Sequence, residues 1–251
     1  MSIGFPTNTV ILILVAMIGV AVSFWFSLSQ ALKELPIAQH IRRNWRWSIA
    51  ILLITWLLFR LALVMNPPGG AVIATPFIVA FIVLGILVGT LPLLSPIFRQ
   101  IVQAVPETWL VGIQAIRVFG FLFLALMDMK LLPAQFALPA GYGDIIVGLL
   151  ALVIIYLLMK RNPYARTLAI GWNLLGLLDF TVALATGIIY IGPFADKLAA
   201  SGTSLSYLNY VLIVPTFGVP LFTLLHIYSL SQLLSSRTEK TKQELRAPVL
   251  S

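Results

Sequence analysis

Two ions of opposite sign lie within apolar stretches of this chain: Arg117 in GIQAIRVFG and Asp179 in NLLGLLDFTVALATG. An ion in such a setting persists where it is paired, faces a bundle interior or lines a cavity. Asp144, in GYGDIIVG, and Arg60, in WLLFRLALV, are further ions in apolar surroundings. The four together are formally neutral, which favours joint burial. Asn173 and Gln114 add hydrogen-bonding capacity nearby. A guanidinium presents its N–H groups in a rigid fork that matches a carboxylate. The expected chemistry is therefore charge pairing around a small polar solute, an ion or a lipid headgroup. A reading in which the pair only fixes helix packing stands beside it.

The elements that position these residues follow from composition. The 251 residues are 60% hydrophobic and 10% charged, with mean hydropathy +1.03. Soluble domains carry about 25% charged residues. About 20 consecutive apolar residues cross a bilayer core. Seven stretches qualify, at about 10–28, 47–65, 71–93, 108–127, 139–159, 167–190 and 208–230. The fold class expected is an all-α integral membrane protein, a seven-transmembrane-helix bundle. Residues 1–235 form one domain and 236–251 a charged, frayed tail. The residues before Val10 carry no Lys or Arg, so the first stretch reads as a retained helix rather than a leader. NPPGG at 66–70 reads as a tight turn, and 191–207 as a longer polar link.

Charge orients the bundle. With seven helices, twelve of the sixteen Lys and Arg residues fall on one side: Lys33, Arg42, Arg43, Arg46, Arg99, Lys160, Arg161, Arg166 and four in the tail. Lys130 and Lys197 fall on the other. The positive-inside rule then places the N-terminus outside and the C-terminus in the cytoplasm, in a cytoplasmic membrane. The net charge of +8 is thus a topology signal rather than a nucleic-acid surface. The partners expected are the bilayer, a small polar ligand or ion, and a membrane-protein partner or second copy of the chain. A lipid-headgroup role for Arg42-Arg43-Asn44-Trp45-Arg46 is a secondary option.

Helical periodicity brings the ions together. Asn173, Gly176, Asp179, Ala183 and Gly187 recur every three or four residues, as do Gly141, Asp144, Gly148 and Ala151. Gln114 and Arg117 share a third face. Small residues permit close approach and polar ones bond between helices. The three stripes are expected to face one another, with Arg117 and Asp179 at depths that differ by ~5 Å and a pocket opening outward. Arg60 lies at a depth similar to that of Asp179 and could pair there or snorkel. The 128–144 connector is expected to be an external turn, with Pro139 opening the next helix; a re-entrant course is the alternative. Pro215 and Pro220 should kink the last helix. Gly85 and Gly89 form a GxxxG packing face.

Several chemistries are excluded or demoted. There is no Cys, so thiol nucleophiles, disulfides and thiolate metal sites are absent. No P-loop, HExxH, GxSxG or dinucleotide fingerprint occurs. Residues 208–230 hold no lysine for a retinal Schiff base, although seven helices is the count of microbial rhodopsins. His40 and His226 read as a solvated and a packing histidine rather than haem ligands, and neither a cofactor nor a metal is expected. Gly141-Tyr142-Gly143-Asp144 is similar to the GxGD motif of intramembrane aspartyl proteases, which implies one catalytic aspartate at Asp144 and a partner at Asp128 or Asp179. The departures are clear: Met127 precedes Asp128, Asp179 follows the motif, and the last stretch has no evident Pro-Ala-Leu. The hydrolase reading ranks third, after binding or transport and after a non-catalytic scaffold.

Overall fold

The structure, a computed structural model, describes residues 7–65, 75–202 and 205–246, and is all-helical there. The expected turn at 66–70 lies outside the described residues. The helices are α1 (Thr7–Glu34), α2 (Gln39–Met65), α3 (Thr75–Thr90), α4 (Pro96–Ala104), α5 (Glu107–Ile113), α6 (Phe121–Asp128), α7 (Ala134–Met159), α8 (Ala165–Ala200), α9 (Ser206–Val211) and α10 (Val219–Arg246). A 3-10 segment, Gln114–Gly120, joins α5 to α6 in one span, and a π turn, Val214–Gly218, precedes α10. Six helical stretches are long and apolar enough to cross a membrane. A seventh arises if α3 and α4, bent by 102° at Ser95, count as one broken span.

The bend has a local cause. Ser95 caps α4 by accepting from the Phe98 N–H, and Pro96 occupies its first position, where no N–H is needed. Residues 94–107 therefore hold a short helix rather than the plain loop the hydropathy suggested. Its Phe98, Ile101 and Val102 are buried, and Arg99 and Gln100 are exposed. Two further boundaries correct the sequence reading. Helix α7 begins at Ala134, not Pro139, so the irregular connector shrinks to a tight turn over 129–133. Asp144 then lies ten residues into its helix, ~15 Å from the start rather than ~7 Å. Helix α8 runs on to Ala200 through Pro193, where a polar link was expected. The turns after α6 and α7 close alike: Lys130 (φ 57°) and Arg161 (φ 51°) adopt the left-handed conformation, and the Leu131 and Asn162 N–H groups reach back to Leu126 and Leu157.

Burial identifies the centre of the bundle. In the last span, Tyr207–Ser235, 72% of the most apolar window is buried, against 11–33% in the other five. This span is the axis, and the others wrap it with their outer faces apolar. Its backbone is broken where the prolines predict. Pro220 lacks the N–H that the Thr216 carbonyl would accept in an α-helix, and Trp56 Nε1 of α2 donates to that carbonyl instead at 3.1 Å. The glycines of α3 serve the same axis. A Cβ at Gly85 would stand 2.9 Å from Pro220 Cβ, and one at Gly89 would stand 2.9 Å from Leu224 Cγ. The GxxxG face is thus spent within the chain.

Candidate functional site: an intramembrane charge cluster

The 3-10 segment decides where Arg117 points. At three residues per turn, positions i, i+3 and i+6 eclipse. Gln114, Arg117 and Gly120 are such a set, and all three are buried. Gly120 lets this segment lie against α7: a Cβ there would meet Asp144 Cβ at 2.5 Å and the Gly141 carbonyl at 2.8 Å. On the other side of α7, a Cβ at Gly143 would collide with the Asp179 carboxylate. A Cβ at Gly176 of α8 would collide with the His226 ring and approach Arg117 Nη1 at 3.2 Å. The small residues make the room that the ions fill.

Arg117 is almost fully enclosed, with its side chain 1% exposed. Its Nε donates to Asp144 Oδ1 at 2.7 Å and its Nη2 to Asp179 Oδ2. Nη1 lies 3.1 Å from His226 Nε2. The Phe180 ring sits 4.0 Å from the guanidinium carbon, a cation–π contact. The three stripes of α5–α6, α7 and α8 therefore meet, and the axis helix contributes a fourth face.

The hydrogen-bond directions beyond Arg117 are fixed by one fact: a guanidinium only donates. His226 Nε2 must then accept, so its proton is on Nδ1, and Nδ1–H donates to Asn173 Oδ1 at 2.8 Å. Asn173 Nδ2 donates to the Ala169 carbonyl at 2.9 Å and to Ser229 Oγ at 2.6 Å. Ser229 Oγ–H donates to Glu107 Oε1. A single polarised chain thus runs from Arg117 through His226, Asn173 and Ser229 to the first residue of α5. Trp172 closes it from one side, 5.0 Å from the imidazole.

Space lies on the opposite side of the cluster. Asp144 and Asp179 stand in the wall of a cavity of about 80 Å³ whose other walls are apolar, among them Phe136, Ala183 and Ile188. Asp144 and Arg117 also border a cavity of about 60 Å³ against Ile13 and Met17 of α1. The first cavity extends toward the turn that carries Lys130, and the hydrogen-bond chain runs toward the opposite end. Two carboxylates face one guanidinium, so the cluster carries one surplus negative charge when both are ionised. A shared-proton aspartyl dyad needs its two carboxyls in direct contact; here each carboxylate is engaged by Arg117.

Of the residues singled out in the sequence, Arg117, Asp179, Asp144 and Asn173 belong to this assembly. Gln114 borders it, donating to the Phe222 carbonyl at 3.2 Å. Arg60 is elsewhere, buried against Phe81 of α3. His226, Ser229, Glu107 and Phe180 were not anticipated. The available signals were slight: Glu107 is the one acid between Glu34 and Asp128, and Ser229 follows His226 by three residues on an apolar helix.

A family model described as a domain of unknown function, DUF8737, matches residues 72–234, about two-thirds of the chain. No curated protein and no solved structure matches it. The matched stretch takes in every member of the cluster from Glu107 to Ser229, and the chain belongs to the DUF8737 family.

Proposed function

We propose that this protein binds a small cation or protonated polar solute inside the membrane, at the cavity faced by Asp144 and Asp179, and moves it across. The supporting observation is the charge imbalance: two carboxylates on one guanidinium, in the wall of an otherwise apolar cavity. Hydrocarbon surroundings make an unbalanced ion costly, and a bound cation supplies the missing charge. About 80 Å³ holds a few waters or a small ion. Arg117 orients both carboxylates, and the chain behind it fixes Arg117. In this reading α3 and α4 form one broken span, giving seven. The twelve-to-two bias of basic residues puts the N-terminus outside, the C-terminus in the cytoplasm and the cavity toward the outside of a cytoplasmic membrane.

The second reading is a non-catalytic scaffold or subunit, favoured by the internal bonding of all three Arg117 side-chain nitrogens. One set of measurements separates the two. Purified protein is unfolded by heat at constant ionic strength with sodium, potassium, methylammonium or choline as the varied cation. Binding at the cavity gives a stabilisation specific to one small cation, lost in Asp144→Asn and Asp179→Asn. The scaffold reading gives no cation preference. In that case an Arg117→Gln, Asp179→Asn cycle shows each single change destabilising and the double recovering much of the loss.

A further inference from the structure

Arg60 is fully buried, and none of its three side-chain nitrogens has a hydrogen-bond partner among the described residues. Its close polarisable neighbour is the Phe81 ring, 5.3 Å from the guanidinium carbon. A cation–π contact does not offset the cost of taking an ion out of water. The surrounding sequence cannot make up the difference. No Asp or Glu occurs between Glu34 and Glu107, so α2, α3, α4 and the segments joining them supply no carboxylate. Asp144 and Asp179 are both engaged by Arg117.

A second observation lies on the same face of α2. Trp45, Ile49, Leu52, Leu53 and Trp56 recur at helical spacing and wall an apolar cleft of about 280 Å³, closed by α1, α3 and α10. Arg60 continues that stripe one turn beyond Trp56. From Trp45 to Trp56 the cleft follows α2 for ~16 Å, and Arg60 stands ~6 Å further on. It is also only ~8 Å short of the helix end at Met65, a depth that a lipid headgroup reaches. Arg60 does not itself wall the cleft; a head would meet it past the Trp56 end.

We propose that Arg60 and this cleft bind an anionic lipid, its headgroup oxyanion held by the guanidinium and an acyl chain lying along the α2 stripe. The charge supplies headgroup selection, the cleft supplies chain burial, and the bilayer is the source. This site is separate from the Arg117 cluster and does not depend on its function.

The test uses the full chain, delipidated in detergent, with thermal unfolding as readout. Dioleoyl phosphatidylglycerol is expected to raise the midpoint in proportion to the logarithm of its concentration. Dioleoyl phosphatidylcholine and inorganic phosphate are expected not to. Arg60→Gln should abolish the phosphatidylglycerol shift, and Arg60→Lys should retain part of it. Ser48→Phe, which fills the cleft and leaves Arg60 in place, should also abolish it, and serves if Arg60→Gln does not fold. Equal shifts from the two lipids would overturn the proposal, as would a full shift from phosphate alone. Loss of the shift in Arg42→Gln/Arg46→Gln with retention in Arg60→Gln would place the headgroup at the other end and overturn it too.

Discussion

Arg117 and Arg60 are both buried arginines in locally apolar stretches of helix, yet their surroundings differ in kind. Arg117 meets two carboxylates, an imidazole and an aromatic face. Arg60 meets one aromatic ring. Arg117 lies in a 3-10 segment packed through glycine against α7, close enough for both aspartates to reach it. Arg60 lies in regular helix, in the stretch of sequence that has no acid at all. One arginine is over-supplied with negative charge and the other has none. The two proposals rest on this difference: a cation at the first site and an anion at the second.

The largest expected effect breaks this contrast directly. Arg117→Leu leaves two half-buried carboxylates without their cation and should cost about 3 kcal/mol, read as a lowered unfolding midpoint in detergent. Arg60→Leu in delipidated protein should be neutral or stabilising, because no internal partner is lost. If both changes destabilise equally, Arg60 has a partner in the folded chain and the contrast fails.

A smaller effect sharpens the account of how Arg117 is held. Ser229→Ala removes the acceptor for Asn173 Nδ2 and the donor to Glu107 Oε1. Glu107 Oε2 is already without a partner. Stranding these groups should cost about 1–3 kcal/mol. Ser229→Thr keeps the hydroxyl and should recover most of that loss. An unchanged midpoint in Ser229→Ala would mean that the chain from Arg117 to Glu107 is not continuous in the protein.

The Arg117 cluster was largely legible in the sequence because its signals survive in an apolar background. Glycine, asparagine and aspartate at three-to-four spacing on 141–151 and 173–187 stand out where most of the rest is Leu, Ile, Val or Ala. The axis helix was not legible for the converse reason. Lipid-facing and core-facing positions are equally apolar, so burial leaves no periodic trace, and Tyr207–Ser235 read like its neighbours until packing singled it out. His226 is buried as a packing residue would be, but its bonds to Arg117 and Asn173 were not legible because those partners come from two other helices, and Glu107 gave little signal at a span's edge. Proline misled in two places. Pro139 opens no helix and Pro193 does not end one: both lie inside long helices, as membrane helices tolerate when neighbours satisfy the freed carbonyls.

The same logic of freed carbonyls yields the smallest expected effect, and it concerns the joint between the two regions. Trp56 walls the apolar cleft with its ring and donates its Nε1–H to the Thr216 carbonyl that Pro220 leaves free. Trp56→Phe keeps an aromatic wall but removes the donor, at an expected cost of about 1 kcal/mol. Pro220→Ala restores a backbone N–H that Thr216 can use. If the Trp56 donor substitutes for that missing N–H, the loss in Trp56→Phe shrinks in the Pro220→Ala background, a positive coupling measurable by a double-mutant cycle. Additive losses would mean that the π turn at Val214–Gly218 is held by its packing alone. The coupling, if found, ties the α2 face that carries Arg60 to the axis helix that carries His226, so that occupancy of one site bears on the backbone that positions the other.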